Sequence, residues 1–181
     1  VRHGETEWNV LCRFLGSKDL PLNEKGRRQA GYAKAALENE KLDVVYSSPM
    51  RRAYETAEII CSDRDIKIQT DDGLREIACC AWEGLNGHEV EEKFPGQIEL
   101  WGARPAELRI EGGDTFAEVQ ERMLDAFWRI VHANRGKTIL ITAHMICLSL
   151  LMIYFDGKEI NDMWNVPPLG NAALNILEVD E

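Results

Sequence analysis

The sequence lacks long hydrophobic runs and an excess of basic residues, and each absence excludes a class of partner. Its apolar stretches fall well short of the roughly 18–20 residues that a membrane-spanning helix needs, so we predict no transmembrane segment. Its formal net charge is −10, whereas nucleic acids and anionic membranes are bound mainly through basic surfaces. We therefore expect no nucleic-acid or membrane partner, and we expect any anionic ligand to be held by a local basic cluster.

Paired cysteines, metal-binding motifs and a P-loop are also missing. The five cysteines have no C-x-x-C spacing, which favours reduced thiols and a cytoplasmic location. We interpret Cys79 and Cys80 as structural, because no base adjoins them. The sequence has no H-x-x-x-H motif, no aspartate cluster and no P-loop with lysine. We therefore expect no metal site and no cofactor. No secretory signal is visible, but the chain opens at Val1 without a methionine, so we expect further residues upstream.

Helical and strand-like patterns alternate along the 181 residues, a length typical of one domain. The apolar, β-branched run at residues 138–142 is typical of a central strand that is covered on both faces. We therefore predict an α/β fold, a three-layer α/β/α sandwich with a mostly parallel central sheet, in a single domain over residues 1–181. The predicted helices lie at residues 23–37, 50–61 and 115–134, and the predicted strands at residues 43–46, 66–70, 138–142 and 173–179.

Residues 78–112 interrupt this alternation. Glycine, proline and tryptophan accumulate there and the periodicity weakens, which is typical of an insertion that covers a site rather than of a core layer. We predict a small lid over these residues. Within it, the acidic stretch at residues 89–92 is interpreted as a solvated helix face.

Polar residues follow several of the predicted strands. Ligands of an open α/β sheet bind beyond the carboxyl ends of the strands, so these side chains are expected to converge. Together they supply a nucleophile, cations for phosphate oxygens and an acid for a leaving group, which are the parts needed for phosphoryl transfer. The residues are Arg2 and His3 near the chain start, Arg52, Glu76 and His144.

The segment Arg2–Asn9, with the sequence RHGETEWN, resembles the signature of the histidine phosphatase superfamily. This superfamily contains cofactor-dependent phosphoglycerate mutases and many small-molecule phosphatases. Further segments match the family in the same order, so the resemblance covers nearly the whole chain. They are Asp19–Leu22 with Gly26, Ser47–Ala53 with Thr56 and Ala57, Leu74–Glu76 with Trp82–Gly84, and Gly113–Thr115.

The resemblance implies a metal-independent phosphatase that hydrolyses a small-molecule phosphate monoester through a phosphohistidine. A nucleophilic histidine must be neutral, so one ring nitrogen should donate to a fixed acceptor and leave the other lone pair free. Arginine forks can pair with two phosphate oxygens at once. The implied roles are phosphorylation of His3, binding of the phosphoryl group by Arg2, Asn9, Arg52 and His144, and proton transfer by Glu76.

Departures from the family pattern leave two other functions open. Leu15 replaces a residue that is usually polar, and Cys80 and Met145 each replace a usual glycine, which bears on efficiency and substrate fit. Mutases of the family generally carry extra lid cations, but this chain has glycine at Gly87 and Gly102-Ala103 after Trp101. Fewer cations for a second phosphate favour hydrolysis. The alternatives are a cofactor-dependent phosphoglycerate mutase and a weakly catalytic binding or regulatory member.

Overall fold

The computed structural model describes residues 1–167 and 169–179. None of the helices in these ranges is both long and apolar enough to cross a membrane. The strands are β1 (Val44–Ser47), β2 (Ile68–Thr70) and β3 (Ile139–Thr142). The α-helices are α1 (Glu7–Val10), α2 (Glu24–Ala36), α3 (Arg51–Ile60), α4 (Gly87–Lys93), α5 (Gln97–Ala103), α6 (Phe116–Ala133) and α7 (Met145–Phe155). Short 3₁₀ helices span Asp72–Leu74, Cys80–Trp82, Pro105–Glu107 and Ile160–Asn165.

The strands form a parallel sheet in the order β2-β1-β3. Val45 of β1 pairs with Ile68 on one side and with Leu140 on the other. The first residues of the chain continue the sheet beyond β3, since the His3 N–H donates to the Ala143 carbonyl at 3.0 Å. The apolar run at 138–142 is therefore an interior strand, as its composition predicts.

Helices cover both faces of the sheet. One face packs against α2 and α3, in a core cluster that includes Ala33, Val45, Ala57, Ile60 and Leu140. The opposite face packs against α6 and α7, whose buried side chains belong to a larger cluster. The predicted three-layer α/β/α arrangement is confirmed.

The long helices begin where their capping residues predict. The side chain of Asn23 accepts a hydrogen bond from the Gly26 N–H at 2.8 Å and caps α2. At the start of α6, Thr115 and Glu118 form a reciprocal capping box, with the Thr115 N–H donating to the Glu118 carboxylate at 2.7 Å.

Two predictions need correction. The strand predicted at residues 173–179 is wrong: this segment carries no strand, and Ile176 is 87% exposed. The described backbone hydrogen bonds to the sheet region end at Ala172, whose N–H donates to the carbonyls of Arg2 and His3, so residues 173–179 have no strand partner despite their apolar composition. The segment 78–112 is also more than a cover, because Trp82 and Leu108 are buried in the larger core cluster.

Candidate active site

A pocket of about 230 Å³ lies at the carboxyl ends of β1 and β3. Three sets of residues line it. The charged wall consists of Arg2, His3, Asn9, Arg52 and Glu76. The apolar wall consists of Cys12, Phe14, Leu15, Cys79, Trp101, Met145 and Ile146. The remaining lining comes from Arg13, Gly16 and Gly87.

His3 is held as a neutral imidazole. The residue is 3% exposed, and Nδ1 lies 2.7 Å from the Gly4 carbonyl oxygen. Because a carbonyl can only accept, Nδ1 carries a proton, and in the neutral ring the Nε2 lone pair is then free. Burial and then the nearby Arg52 charge hold the pKa of His3 well below its ordinary value of 6.5. The expected fixed acceptor is thus present, and the ring is ready to act as a nucleophile at neutral pH.

His144 lies behind the pocket rather than in its wall. The ring is completely buried, and its centroid is 5.2 Å from that of His3. Nε2 lies 2.8 Å from the Ser48 hydroxyl, while the buried Nδ1 has no hydrogen-bond partner among the described residues. Burial and Arg52 lower the pKa of His144 well below its ordinary value. Ser48 is a site residue that the sequence prediction missed, since its only signal was membership of the segment Ser47–Ala53.

Arg52 is the most enclosed cation of the site. It is completely buried, and Nη1 and Nη2 donate to the carbonyls of Lys18 and Gly16 at 2.6 and 3.0 Å. Asp19 fixes the start of α3, the helix that carries Arg52, by accepting from the Arg51 N–H at 2.6 Å. Carbonyl groups and a helix start therefore hold the guanidinium in place.

The buried Arg52 and the partly buried Arg2 share an unusual feature for cations removed from solvent. Within the described chain, no carboxylate lies within ion-pair distance of either guanidinium, and both Nε atoms are buried without a hydrogen-bond partner. Arg2 is anchored by one bond, from Nη1 to the Leu169 carbonyl at 2.5 Å. Burial lowers the pKa of both groups, and the Glu76 charge opposes that effect. Since a buried charge is costly without a partner, this pair is suited to binding an anion.

Glu76 is the one carboxylate among the described pocket-lining residues. The N–H of Ile77 donates to Oε1 at 3.1 Å, and the N–H of Ile146 donates to Oε2 at 3.3 Å. Burial raises the pKa of Glu76 above its ordinary value of 4.5, and Arg52 opposes this rise. A carboxyl group with a raised pKa can be protonated when it meets a leaving group and ionised afterwards. The residue does not directly follow a strand as the pattern suggested, because the 3₁₀ helix Asp72–Leu74 intervenes.

Asn9 is oriented by the first turn after His3. Its Oδ1 accepts from the N–H and the hydroxyl of Thr6, both at 3.0 Å. This capping box commits the amide oxygen to the backbone. The Nδ2 group is left as the hydrogen-bond donor that Asn9 can offer to a phosphate oxygen.

The other matched motifs hold these side chains in place. Thr56 joins α3 to the His3 loop by accepting from the Gly4 N–H at 3.0 Å and donating to the Arg52 carbonyl at 2.7 Å. Glu83 accepts from the Ser17 N–H at 2.6 Å, next to the two carbonyls that bind Arg52. Sequence reasoning recognised these motifs but assigned them no contacts.

A glycine contact explains the presence of Gly26 in the family pattern. A Cβ atom at Gly4 would lie 2.4 Å from the Gly26 carbonyl oxygen, and one at Gly26 would lie 2.1 Å from the Glu5 carbonyl oxygen. Only glycine at both positions lets the His3 loop pack against the start of α2.

Asp114 and Arg122 support the segment that carries Glu76. Asp114 accepts from the Ala78 N–H at 2.9 Å and pairs with Arg122 at 3.2 Å. Arg122 also donates to the Arg75 carbonyl at 2.7 Å. The motif Gly113–Thr115 therefore combines two functions, a support for Glu76 and the cap of α6. Arg122 was not singled out from the sequence, because a helical arginine carries no signal of this contact.

The three departures from the family pattern lie in different places. Leu15 and Met145 both line the pocket, so they shape its apolar wall. Cys80 is exposed, its thiol donates to the Gly112 carbonyl at 2.9 Å, and its φ is +29°. This left-handed conformation favours glycine, which accounts for the usual glycine at that position. Burial raises the pKa of the Cys79 thiol and raises that of Cys147 to about 12, so neither is a ready nucleophile.

Comparison with known proteins agrees with this geometry. The chain is 29% identical over all of its 181 residues to phosphoserine phosphatase 1 of Hydrogenobacter thermophilus, of which it covers 85%. The structure of Bacillus stearothermophilus YhfR matches with a TM-score of 0.96 at 38% identity, covering 99% of this chain and 89% of that one. A mycobacterial glucosyl-3-phosphoglycerate phosphatase complexed with VO3 matches with a TM-score of 0.86 at 26% identity, covering 94% and 85% respectively. The family model described as histidine phosphatase superfamily (branch 1) matches residues 1–181, and the chain belongs to this superfamily.

Proposed function

We propose that this protein is a metal-independent phosphatase that hydrolyses a small-molecule phosphate monoester through a phosphohistidine on His3. One observation carries the proposal: a neutral imidazole shares a pocket with the buried Arg52 and the partly buried Arg2, whose guanidinium groups have no carboxylate within ion-pair distance among the described residues. Such a site attracts the phosphate dianion and presents a nucleophile to it.

In the first step, Nε2 of His3 attacks phosphorus while the ester oxygen leaves. The phosphorus–nitrogen bond forms as the phosphorus–oxygen bond breaks, and the departing alkoxide takes the proton of Glu76. Arg2 and Arg52 stabilise the negative charge on the phosphoryl oxygens, with Asn9 as a further donor. The phosphorylated ring is cationic, and the Nδ1–H···O=C contact to Gly4 at 2.7 Å stabilises it.

In the second step, water replaces the histidine on phosphorus. Glu76 is now a carboxylate. It accepts a proton from the water as the water oxygen bonds to phosphorus. The phosphorus–nitrogen bond breaks, and its electron pair returns to Nε2 of His3. Inorganic phosphate leaves, and both residues are restored to their starting protonation states.

We assign His144 to the binding of the phosphoryl group. The Ser48 hydroxyl fixes Nε2 at 2.8 Å, so Nδ1 is the ring nitrogen left without a partner among the described residues. Its 5.2 Å ring separation from His3 supports this role. Nδ1 is buried without a partner among the described residues, and a phosphoryl oxygen would satisfy it.

Hydrolysis is favoured over the mutase alternative by the pocket lining. Gly87 lines the pocket at the place where mutases of the family carry a lysine, so it adds no charge for a second phosphate. Two of the similar proteins are named for phosphatase activity, on phosphoserine and on glucosyl-3-phosphoglycerate. The binding or regulatory alternative is disfavoured because His3, Glu76 and the two arginines all line one pocket.

We also propose a cellular location, a domain organisation and a partner for the enzyme. All five cysteines are free thiols, which supports a location in the reducing cytoplasm. Trp82 and Leu108 of the lid share a core cluster with α6 and α7, which supports a single domain. The partner we propose is a small phosphate ester, with no nucleic acid or membrane.

The test is turnover of p-nitrophenyl phosphate by the wild type and by His3→Ala, with EDTA and with vanadate. We expect His3→Ala to lose at least roughly a thousandfold in turnover, EDTA to have no effect, and vanadate to inhibit by occupying the arginine pair. Circular dichroism and thermal unfolding check that His3→Ala is folded. Retention of more than a few per cent of activity in folded His3→Ala, or loss of activity on chelation with recovery on adding Mg²⁺ or Zn²⁺, would reject the proposal.

A further inference from the structure

The two walls of the pocket differ in charge. The charged wall supplies what a phosphate group needs, whereas the apolar wall contains no Asp, Glu, Lys, Arg or His side chain. A pocket of about 230 Å³ leaves a bound ester in contact with both walls. The leaving group of the substrate therefore meets Phe14, Leu15, Trp101, Met145 and Ile146.

Arg13 is the one cation that lines the described pocket outside the charged wall. Its Nη1 donates to Glu89 Oε2 at 2.8 Å and also to the Gly84 carbonyl. The two side chains are 31% and 35% exposed, so the pair is partly screened by solvent. Glu89 is thus already paired with Arg13, the cation that a second anionic group of a substrate would otherwise bind.

Glu89 is held in this position by the start of α4. The Asn86 N–H donates to Glu89 Oε2 at 2.8 Å, and the Asn86 side chain accepts from the Glu89 N–H at 3.0 Å. The backbone of Asn86 also forms a bridge with Arg13. The Asn86 N–H, and then the Arg13 guanidinium, hold the pKa of Glu89 below its ordinary value. The interpretation of residues 89–92 as a solvated face is therefore wrong for Glu89.

We infer that Glu89, through its ion pair with Arg13, makes the site select phosphate monoesters whose leaving group carries no second anionic group. Glu89 is a positioning residue that determines specificity, since it acts through Arg13. The inference deepens the proposed function and rests on it. A carboxylate or second phosphate near Arg13 meets an ion pair of no net charge, in which Glu89 already occupies the guanidinium, whereas an uncharged leaving group loses nothing by this pairing.

The experiment compares two aryl phosphates of equal size, 4-carbamoylphenyl phosphate and 4-carboxyphenyl phosphate, which differ by one negative charge. The quantity measured is the ratio of their kcat/KM values in each variant, so that intrinsic reactivity cancels between variants. Glu89→Gln removes the charge and keeps the capping box, because glutamine also serves at that position. We expect the ratio to shift toward the carboxylate ester by about three- to tenfold, mainly through KM, as for one partly screened charge.

Two further variants make the inference falsifiable. Arg13→Gln leaves Glu89 without its partner and should shift the ratio against the carboxylate ester. The double variant Arg13→Gln with Glu89→Gln should return the ratio close to the wild-type value. Glu92→Gln is the matched control, since it removes a charge from the same helix at a 67% exposed side chain that is outside the pocket lining; its ratio should stay within twofold of the wild type.

The outcomes separate this inference from the proposed function. If wild type hydrolyses both esters but Glu89→Gln leaves their ratio unchanged, the inference is overturned and the phosphatase assignment stands. The inference is equally overturned if the gain of Glu89→Gln persists in the double variant, or if Glu92→Gln shifts the ratio by the same factor. If wild type hydrolyses neither ester and forms no phosphohistidine, the proposed function itself fails.

Discussion

The charged wall and the apolar wall of the pocket are built in different ways. Each main residue of the charged wall is fixed by backbone groups: His3 by the Gly4 carbonyl, Arg52 by two carbonyls, and Glu76 by two N–H groups. The apolar wall is made of packed side chains, such as the Phe14 and Trp101 rings 5.2 Å apart. Backbone anchors keep the reacting groups in place while packed side chains can vary, so we expect the chemistry to depend on the charged wall and the choice of leaving group on the rest of the lining, which includes the apolar wall and the Arg13–Glu89 pair.

After loss of the nucleophile itself, the largest effect is expected from Glu76→Gln in the charged wall. Without an acid, cleavage of an alkyl phosphate should slow by about 10²–10⁴-fold, whereas phosphorylation of His3 by p-nitrophenyl phosphate should slow far less, because its phenolate departs without a proton. Loss of the base should also let phosphohistidine accumulate. Rapid-quench measurements of both esters give this comparison. Equal slowing of both esters without accumulation of phosphoenzyme would reduce Glu76 to a positioning residue.

The same variant has a pH signature. Because the pKa of His3 is lowered, the imidazole becomes protonated only at a pH below its ordinary value of 6.5. The fall of kcat/KM on the acid side should therefore occur below pH 6.5. For alkyl phosphates, kcat/KM should fall on the alkaline side as Glu76 ionises. Because the pKa of Glu76 is raised, this fall should occur above pH 4.5. Glu76→Gln should abolish the alkaline limb. A limb that survives in this variant would belong to another group.

A smaller effect is expected from Arg52→Lys, for which the neighbouring Arg51 provides a matched control. A lysine cannot reproduce the planar fork of donors, so we expect kcat/KM to fall by about a hundredfold, near 3 kcal/mol of transition-state stabilisation. Arg51→Lys alters a 58% exposed side chain paired with Glu55 and should change the rate less than about twofold. Equal effects from both substitutions would contradict the separate role of Arg52.

The smallest effect is expected outside both walls, at Cys80. With φ at +29°, Cys80→Gly should relieve backbone strain and raise the free energy of unfolding by about 0.5–1 kcal/mol, leaving kcat/KM within about twofold. Cys80→Ala is the control, because it removes the thiol but keeps the Cβ atom. Thermal unfolding measures both variants. Equal stabilisation by both would show that the thiol, not the backbone, carries the strain.

The sequence predicted more of the residues in the charged wall than of the residues that hold them in place. Strand-end positions and the RHGETEWN segment placed Arg2, His3 and Asn9, because short motifs carry local geometry. Ser48 and Arg122 escaped prediction, since their contacts bring together residues far apart in the chain. The strand at 173–179 failed for a related reason: an apolar composition shows that a segment could pair but does not provide a partner.

Trapping the phosphoenzyme tests the central claim most directly. Glu76→Gln is quenched after reaction with p-nitrophenyl phosphate, and peptide mapping with ³¹P–¹⁵N NMR locates the phosphoryl group by residue and by ring nitrogen. Because the Gly4 carbonyl occupies Nδ1, we predict one phosphoryl group, on Nε2 of His3, and none when His3→Ala is combined with Glu76→Gln. A phosphoryl group on His144, on Nδ1 of His3, or on no histidine while turnover continues would contradict the proposed mechanism.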